Sequence, residues 1–472
     1  MTPTSFVFWD TETTGLNKAF DLPLEIGALV TNANLSAQRE INLSCRPSRF
    51  VLPDPGALVA TGRSIHDLLC RSMTPYQVTW RFAQEVEAAT PTCFVSWNGV
   101  SFDDRLIQHT LFRHLHDPYL MLKGGNVRLD LLKIVRLAYA LGQGDLVVPK
   151  TEHGVPVFKL DRIAPLNGFR EDGAHSAAVD ARAVHHLAGL LAKRAPEIWD
   201  LALRVWSRKD VVRNQLAAAE IFLQFDWDWR AGGPRFKALM PVAPGRGYAG
   251  DFVCLDLALD PDAYKALSPK ELSKQITIGT KPRPICTTRL NGVPLIFSID
   301  NPLVKGRHPI DLCELGKRAG QLRADSGLQD RILDAVHLSR DGFEEPEHVE
   351  QQLYSGGFIS NQDMMTLERF HQVAPESKLE VVRSLKDARL KCLAERLVFE
   401  EWPAALPCDI LQRIEGEVWR RHLATGDAPW TTFASALGAI EKLLPDADVL
   451  GREILLEYRD YLMSVMPTAG NG

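Results

Sequence analysis

The chain has 472 residues, too many for one ordinary hydrophobic core, so two or three domains are expected. Its 45% apolar and 24% charged content is that of a globular protein and excludes a disordered or fibrous one. With 54 basic against 59 acidic residues the net charge of −5 does not advertise a polyanion binder, although a local basic groove on an acidic protein can still serve one.

The eight cysteines, at positions 45, 70, 93, 254, 286, 313, 392 and 408, form no Cys-x-x-Cys and no Cys/His cluster. That argues against structural zinc and against a disulfide framework. The start, MTPTSFVFWDTE, lacks a basic segment followed by an apolar one, and no run of about 18 apolar residues occurs. The expectation is a reduced, cytoplasmic, soluble protein, and a monomer.

In chain order, "SFVFWDTE" (5–12), "LEIGALVT" (24–31), "REINLSCRP" (39–47) and "CFVSWN" (93–98) are short, partly β-branched runs bounded by turn residues and read as strands. Helical patterns follow at about 102–115, at 128–141 ("RLDLLKIVRLAYAL") and at 175–194 ("HSAAVDARAVHHLAGLLAKR"), the last stopped by Pro196. Interleaved strands and helices point to an α/β or α+β layered structure. From about 245 to 305 the texture is strand-rich, and Asn291-Gly292 between two apolar runs predicts a hairpin. Helices return around 311–340, and from about 363 onward nearly everything is helical.

Acids stand in awkward places on these elements. Asp10 and Glu12 end the first strand and share one face, because alternate strand residues do. Asp103, Ile107, Leu111 and Leu115 recur at steps of four, so Asp103 lies on an apolar stripe. Asp180, Val184, Leu187 and Leu191, at i, i+4, i+7 and i+11, likewise share one face, with Asp180 placed mid-helix on the face that packs inward. Such a carboxylate must meet an arginine, a proton or a metal ion. Oxygen-only ligands suit a hard cation, Mg²⁺ or Mn²⁺, and four carboxylates are enough for two such ions. His175, just ahead of the last helix, is the natural general base beside them.

"DTETTGL", "NGVSFDD" and "HSAAVD" resemble the three motifs of the DEDDh exonucleases, Asp-x-Glu, Asn-x-x-x-Phe-Asp and His-x-x-x-x-Asp. Further stretches, "LPDPGALVATG" (52–62), "SWNGVSFDDRLIQHTLFRHLHDPY" (96–119), "VPVFKLDRIAPLNG" (155–168) and "QLYSGGFISNQD" (352–363), resemble the bacterial exodeoxyribonuclease I family within that group. The resemblance is dense over 1–195, thin through 200–345 and patchy beyond.

It implies an RNase H-like α/β nuclease domain with a mixed sheet (1–195), an SH3-like α+β middle domain (196–345) and an all-α C-terminal domain (346–472), together a C-shaped clamp. The implied activity is that of a single-strand-specific 3′→5′ DNA exonuclease releasing 5′-mononucleotides with two Mg²⁺ ions. Asp10, Glu12, Asp103 and Asp180 would be metal ligands, and His175 the base. Glu12, Lys159, Tyr119, Arg136 and Tyr354 would meet substrate, and Phe358 would stack a base. Lys159 falls where the family usually has an arginine, which keeps the charge and loses the bidentate fork. Tyr119 and Arg136 read equally well as a half-buried tyrosine and a helix-surface arginine. The implied partners are single-stranded DNA and the tail of single-stranded-DNA-binding protein. An RNA-trimming or proofreading DEDDh enzyme, and a catalytically silent scaffold, are the rival readings.

Overall fold

The structure is a computed structural model and describes residues 4–467 apart from 172–174, 208, 229, 245–250, 277–282 and 340–344. The chain begins with β1 (Ser5–Thr13), β2 (Pro23–Asn32) and β3 (Ala37–Ser44), then α1 (Pro55–Thr61), α2 (Ile65–Leu69) and α3 (Pro75–Ala89). It continues through β4 (Cys93–Ser96), α4 (Asp103–Arg113), β5 (Val127–Asp130), α5 (Leu131–Leu141), α6 (Leu160–Leu166) and α7 (Ala177–Arg194). It divides into two compact units, one holding residues 4–126, 170–185 and 345–472, the other 127–169 and 186–344.

In the first unit the strands run β3-β2-β1-β4, with β1 antiparallel to β2 and parallel to β4. β2 is buried along nearly its whole length, as a central strand covered on both faces must be. One face carries Val7 and Trp9 of β1 with Ile26 and Val30 of β2, and packs on Phe82 and Val86 of α3 and Ile107 and Leu111 of α4. The other face carries Phe8, whose ring meets His185 of α7 edge-on at 5.0 Å. α3 starts where its sequence says it should: Pro75 occupies the first turn, and Thr74 and Gln77 cap each other reciprocally.

The C-terminal helices close this unit. Leu367, Phe370, Leu390, Leu397, Phe399 and Ile414 form one core with Tyr76, Phe112 and Leu115. Helices Phe433–Leu443 and Val449–Val465 form another with Leu58 and Ile65, where the Tyr458 hydroxyl donates to the Pro53 carbonyl at 2.8 Å. Among the described residues no helix is long and apolar enough to cross a membrane.

The second unit contains an antiparallel sheet of order β10-β6-β7-β8-β9, with β6 Phe222–Asp228, β7 Gly233–Pro244, β8 Asp251–Asp256, β9 Ile285–Arg289 and β10 Leu295–Ser298. This corrects the hairpin expected at Asn291-Gly292. β9 pairs with β8, β10 pairs with β6, and the two lie at opposite edges. Leu290–Gly292 forms a 3₁₀ turn and Val293 is left-handed at φ 56°, so the pair redirects the chain to the far edge. Residues 127–130 are a strand ahead of α5, where a helix was expected from 128.

A cluster of neutral histidines lies in the first unit. The rings of His116 and His371 stack 4.2 Å apart, and the Tyr76 hydroxyl sits 2.9 Å from His371 Nδ1. Burial, aided by the neighbouring His371, pushes His116 down to about 3, and burial with Lys378 pushes His371 down to about 4. Unfolded, these rings take protons near pH ~6.5, so their contribution to stability is full above that value and declines as pH falls. Denaturant unfolding followed between pH 7.5 and 4.5 is expected to show stability falling with acidification. His371→Gln should flatten that slope by about one proton; an unchanged slope would show that the pair does not titrate on unfolding.

Candidate active site

β1 loses its regular pairing as it ends: Asp10 faces Gly27, Glu12 faces Glu25, and the register shifts between Glu12 and Thr13. The two acids point to the face covered by α7. That helix approaches closely because Gly27 has no side chain; a Cβ there would lie 2.1 Å from the Ala177 carbonyl carbon and 2.2 Å from the Ala178 nitrogen. The contact sets the first turn of α7 on the strand end, and Asp180 is in that turn rather than mid-helix. Val184, Leu187 and Leu191 below it are fully buried, as the stripe predicted.

His175 stands exposed two residues before α7, left-handed at φ 67°, a conformation unusual for a residue with a Cβ. A ring nitrogen of His175 and carboxylate oxygens of Glu12 and Asp180 all lie within 4.8 Å of one another. Asp103 opens α4, 6% exposed, and accepts a 2.5 Å hydrogen bond from Thr11 Oγ1.

The electrostatics describe one cluster. Burial and the charges of Asp103, Asp180 and Glu12 lift Asp10 well above the usual carboxylate range. Burial and Asp180, Glu25 and Asp103 lift Glu12 to about 9, with Arg63 opposing. The donors are carboxylate oxygens and one imidazole, with no thiol, which fits a hard divalent cation such as Mg²⁺ or Mn²⁺. Glu25, 4% exposed and opposite Glu12 in the ladder, is a further acid near the cluster that sequence reasoning missed; Arg63 Nη2 holds it at 2.7 Å. Glu25 is thus paired with an arginine, whereas burial and neighbouring acids raise Asp10 and Glu12.

The expected substrate residues separate. Tyr119 is half-buried, and its ring lies 6.2 Å from that of Phe358, which is 90% exposed. The Tyr354 hydroxyl accepts from Arg105 Nη1 at 2.9 Å and donates to Gln108 Oε1 at 2.6 Å, tying the C-terminal segment to α4 two residues beyond Asp103. Lys159 is exposed in the other unit, immediately before α6. Arg136 is neither a helix-surface arginine nor presented to solvent: it is 6% exposed, its guanidinium 5.2 Å over Phe158 and 5.9 Å over Trp227.

A family model described as "Exonuclease" (RNase_T) matches residues 7–187, and one described as "Exonuclease I C-terminal domain" matches residues 347–465. The chain belongs to the exonuclease I family. It is 24% identical over 440 residues to exodeoxyribonuclease I of Escherichia coli K12, covering 89% of each chain. It is 30% identical over 211 residues to that of Buchnera aphidicola subsp. Schizaphis graminum, a match that spans 44% of this chain and 44% of that relative's length. Among solved structures, exonuclease I of Methylocaldum szegediense is similar at TM-score 0.86 and 24% identity, covering 98% of this chain and all of the other. E. coli exonuclease I in complex with a dA16 oligonucleotide is similar at TM-score 0.83 and 21% identity, covering 98% and 99%. An SSB/exonuclease I structure is similar at TM-score 0.82 and 20% identity, also covering 98% and 99%.

Gly27 supplies a direct check on the geometry. Gly27→Ala places its methyl against backbone of α7, which must shift by about an ångström and carry Asp180 with it. Exonuclease turnover is expected to fall on the order of 10²-fold while the far-ultraviolet circular dichroism stays unchanged. Wild-type turnover would show that the close approach does not set the site.

Proposed function

We propose that this chain is a single-strand-specific 3′→5′ DNA exonuclease that releases 5′-mononucleotides by hydrolysis at the Asp10/Glu12/Asp103/Asp180/His175 centre. The observation that carries the reading is the gathering of Glu12, His175 and Asp180 within 4.8 Å, with Asp10 and Asp103 coupled to them through charge. Four mutually repelling carboxylates are stable together only when protonated or when cations sit among them.

Asp10, Glu12, Asp103 and Asp180 would hold two divalent cations. Bound there, the cations supply Lewis acidity to the phosphodiester and lower the pKa of water. A ring nitrogen of His175 takes the proton from the attacking water; its exposure and its place ahead of the α7 turn let it face substrate rather than core. Exposed Phe358 beside Tyr119 offers a stacking surface that any base can use, consistent with sequence-tolerant binding. Lys159 serves as a phosphate contact of point-charge character. The complex of the E. coli relative with dA16 supports single-stranded DNA as the substrate, and the SSB/exonuclease I structure supports single-stranded-DNA-binding protein as the partner.

Labelled single-stranded DNA, duplex DNA and RNA offered side by side in Mg²⁺ test the reading. Mononucleotide release from the 3′ end of single-stranded DNA, stopped by EDTA, is expected; preference for RNA or no release would overturn it. Asp180→Asn should abolish release and, by relieving like-charge repulsion, raise the metal-free melting temperature by a few degrees, on the order of 1 kcal/mol. His175→Ala should lose about 10²-fold or more in rate while still binding Mn²⁺; full rate without the imidazole would remove it from the base role.

A further inference from the structure

Asp103 reaches the centre by a different route from its partners. Asp10 and Glu12 lie on the α7 face of β1, whereas α4 packs on the opposite face, on Trp9 and Ile26. Thr11, the residue between the two acids, points to that opposite face, where it is paired with Ile26. Its hydroxyl donates to Asp103 Oδ1 at 2.5 Å across 92 residues of sequence, with both side chains buried. Gly99 leaves space beside Asp103 Oδ2, since a Cβ there would lie 3.3 Å from that oxygen. The first turn of α4 carries no side-chain cap at Phe102 to fix it independently.

We propose that Thr11 is a positioning residue for the metal centre, its hydroxyl fastening the Asp103 carboxylate around the end of β1 so that acids from both faces of the sheet meet the same cations. The inference rests on the metal-dependent reading above. A hydroxyl donating to one oxygen of a ligating carboxylate fixes its rotamer and leaves the second oxygen to the cation, and loss of such outer contacts costs about 10–100-fold in metal affinity.

Mn²⁺ binding to the full chain, followed by electron paramagnetic resonance without DNA, gives a readout separate from turnover. Thr11→Val keeps shape and removes the donor; the dissociation constant of at least one Mn²⁺ is expected to rise about 10-fold or more. Thr11→Ser, which keeps the hydroxyl, should return it to within about 3-fold of wild type, and metal-free melting of each variant, with Thr11→Ala as a second truncation, reports folding. Mn²⁺ affinity in folded Thr11→Val or Thr11→Ala equal to wild type would overturn the proposal, as would failure of Thr11→Ser to restore binding. If the wild type binds no Mn²⁺ and Asp180→Asn changes nothing, the metal reading itself fails, and that outcome is distinct from an unaltered Thr11 variant of a metal-binding protein.

Discussion

Like charges that are held together govern this molecule. Four carboxylates from β1, α4 and α7 lie near one strand end, Asp103 buried and the others half-buried, so water screens their charges only in part. Nothing intrinsic to those side chains favours the meeting; it is imposed by the hydrophobic packing behind them. Trp9, Ile26, Ile107 and Leu111 fix α4 on one face, while Gly27 admits α7 on the other. The free energy of those cores maintains a repulsion that folding alone would not select.

A second buried glutamate shows what a structural acid looks like in the same unit. Glu350 is 1% exposed, and burial alone would raise its pKa, yet Arg421 at 2.5 Å, Arg396 at 3.0 Å and the nearby Arg113 hold it down to about 2. Glu12 is less buried and is driven the other way, to about 9, by burial together with neighbouring acids. The sign of the shift separates an ion pair that joins the C-terminal helices from a centre that awaits cations. Glu25 lies beside Glu12 in the ladder and is ion-paired with Arg63.

Periodicity made most of the centre legible in the sequence. The alternation in "FWDTE" put Asp10 and Glu12 on one face, and the helical spacing of three and four put Asp103 and Asp180 on apolar stripes, because strand and helix repeats are local properties of the chain. What escaped was everything fixed by approach between distant segments. Gly27 looks like an ordinary strand glycine until α7 lies on it, and Thr11 looks like filler between two acids until α4 arrives from the opposite face. The Asn291-Gly292 pair misled for the same reason: turn chemistry is local, but β10 finds its partner in β6, some seventy residues earlier in the chain. Arg136 sits within "LLKIVRLAYAL", and nothing local says whether its guanidinium goes out to solvent or, as here, over Phe158 and Trp227.

The C-terminal segment then acquires a role that composition could not suggest. Tyr354 ties to Arg105 and Gln108, the Glu350 carbonyl lies 2.9 Å from His109 Nδ1, and His371 Nε2 lies 3.1 Å from the Leu115 carbonyl. Read along the chain, these contacts follow α4 from two residues past Asp103 to just beyond its last turn. α4 therefore has a core on one side and a continuous polar brace on another, and a helix so held can present Asp103 at its first residue without an N-cap. These contacts run along the same helix that carries Asp103 at its first residue. The helical C-terminal residues thus add a further set of contacts to those that the sheet and α3 already make with α4, where Thr79 Oγ1 lies 2.8 Å from His114 Nδ1.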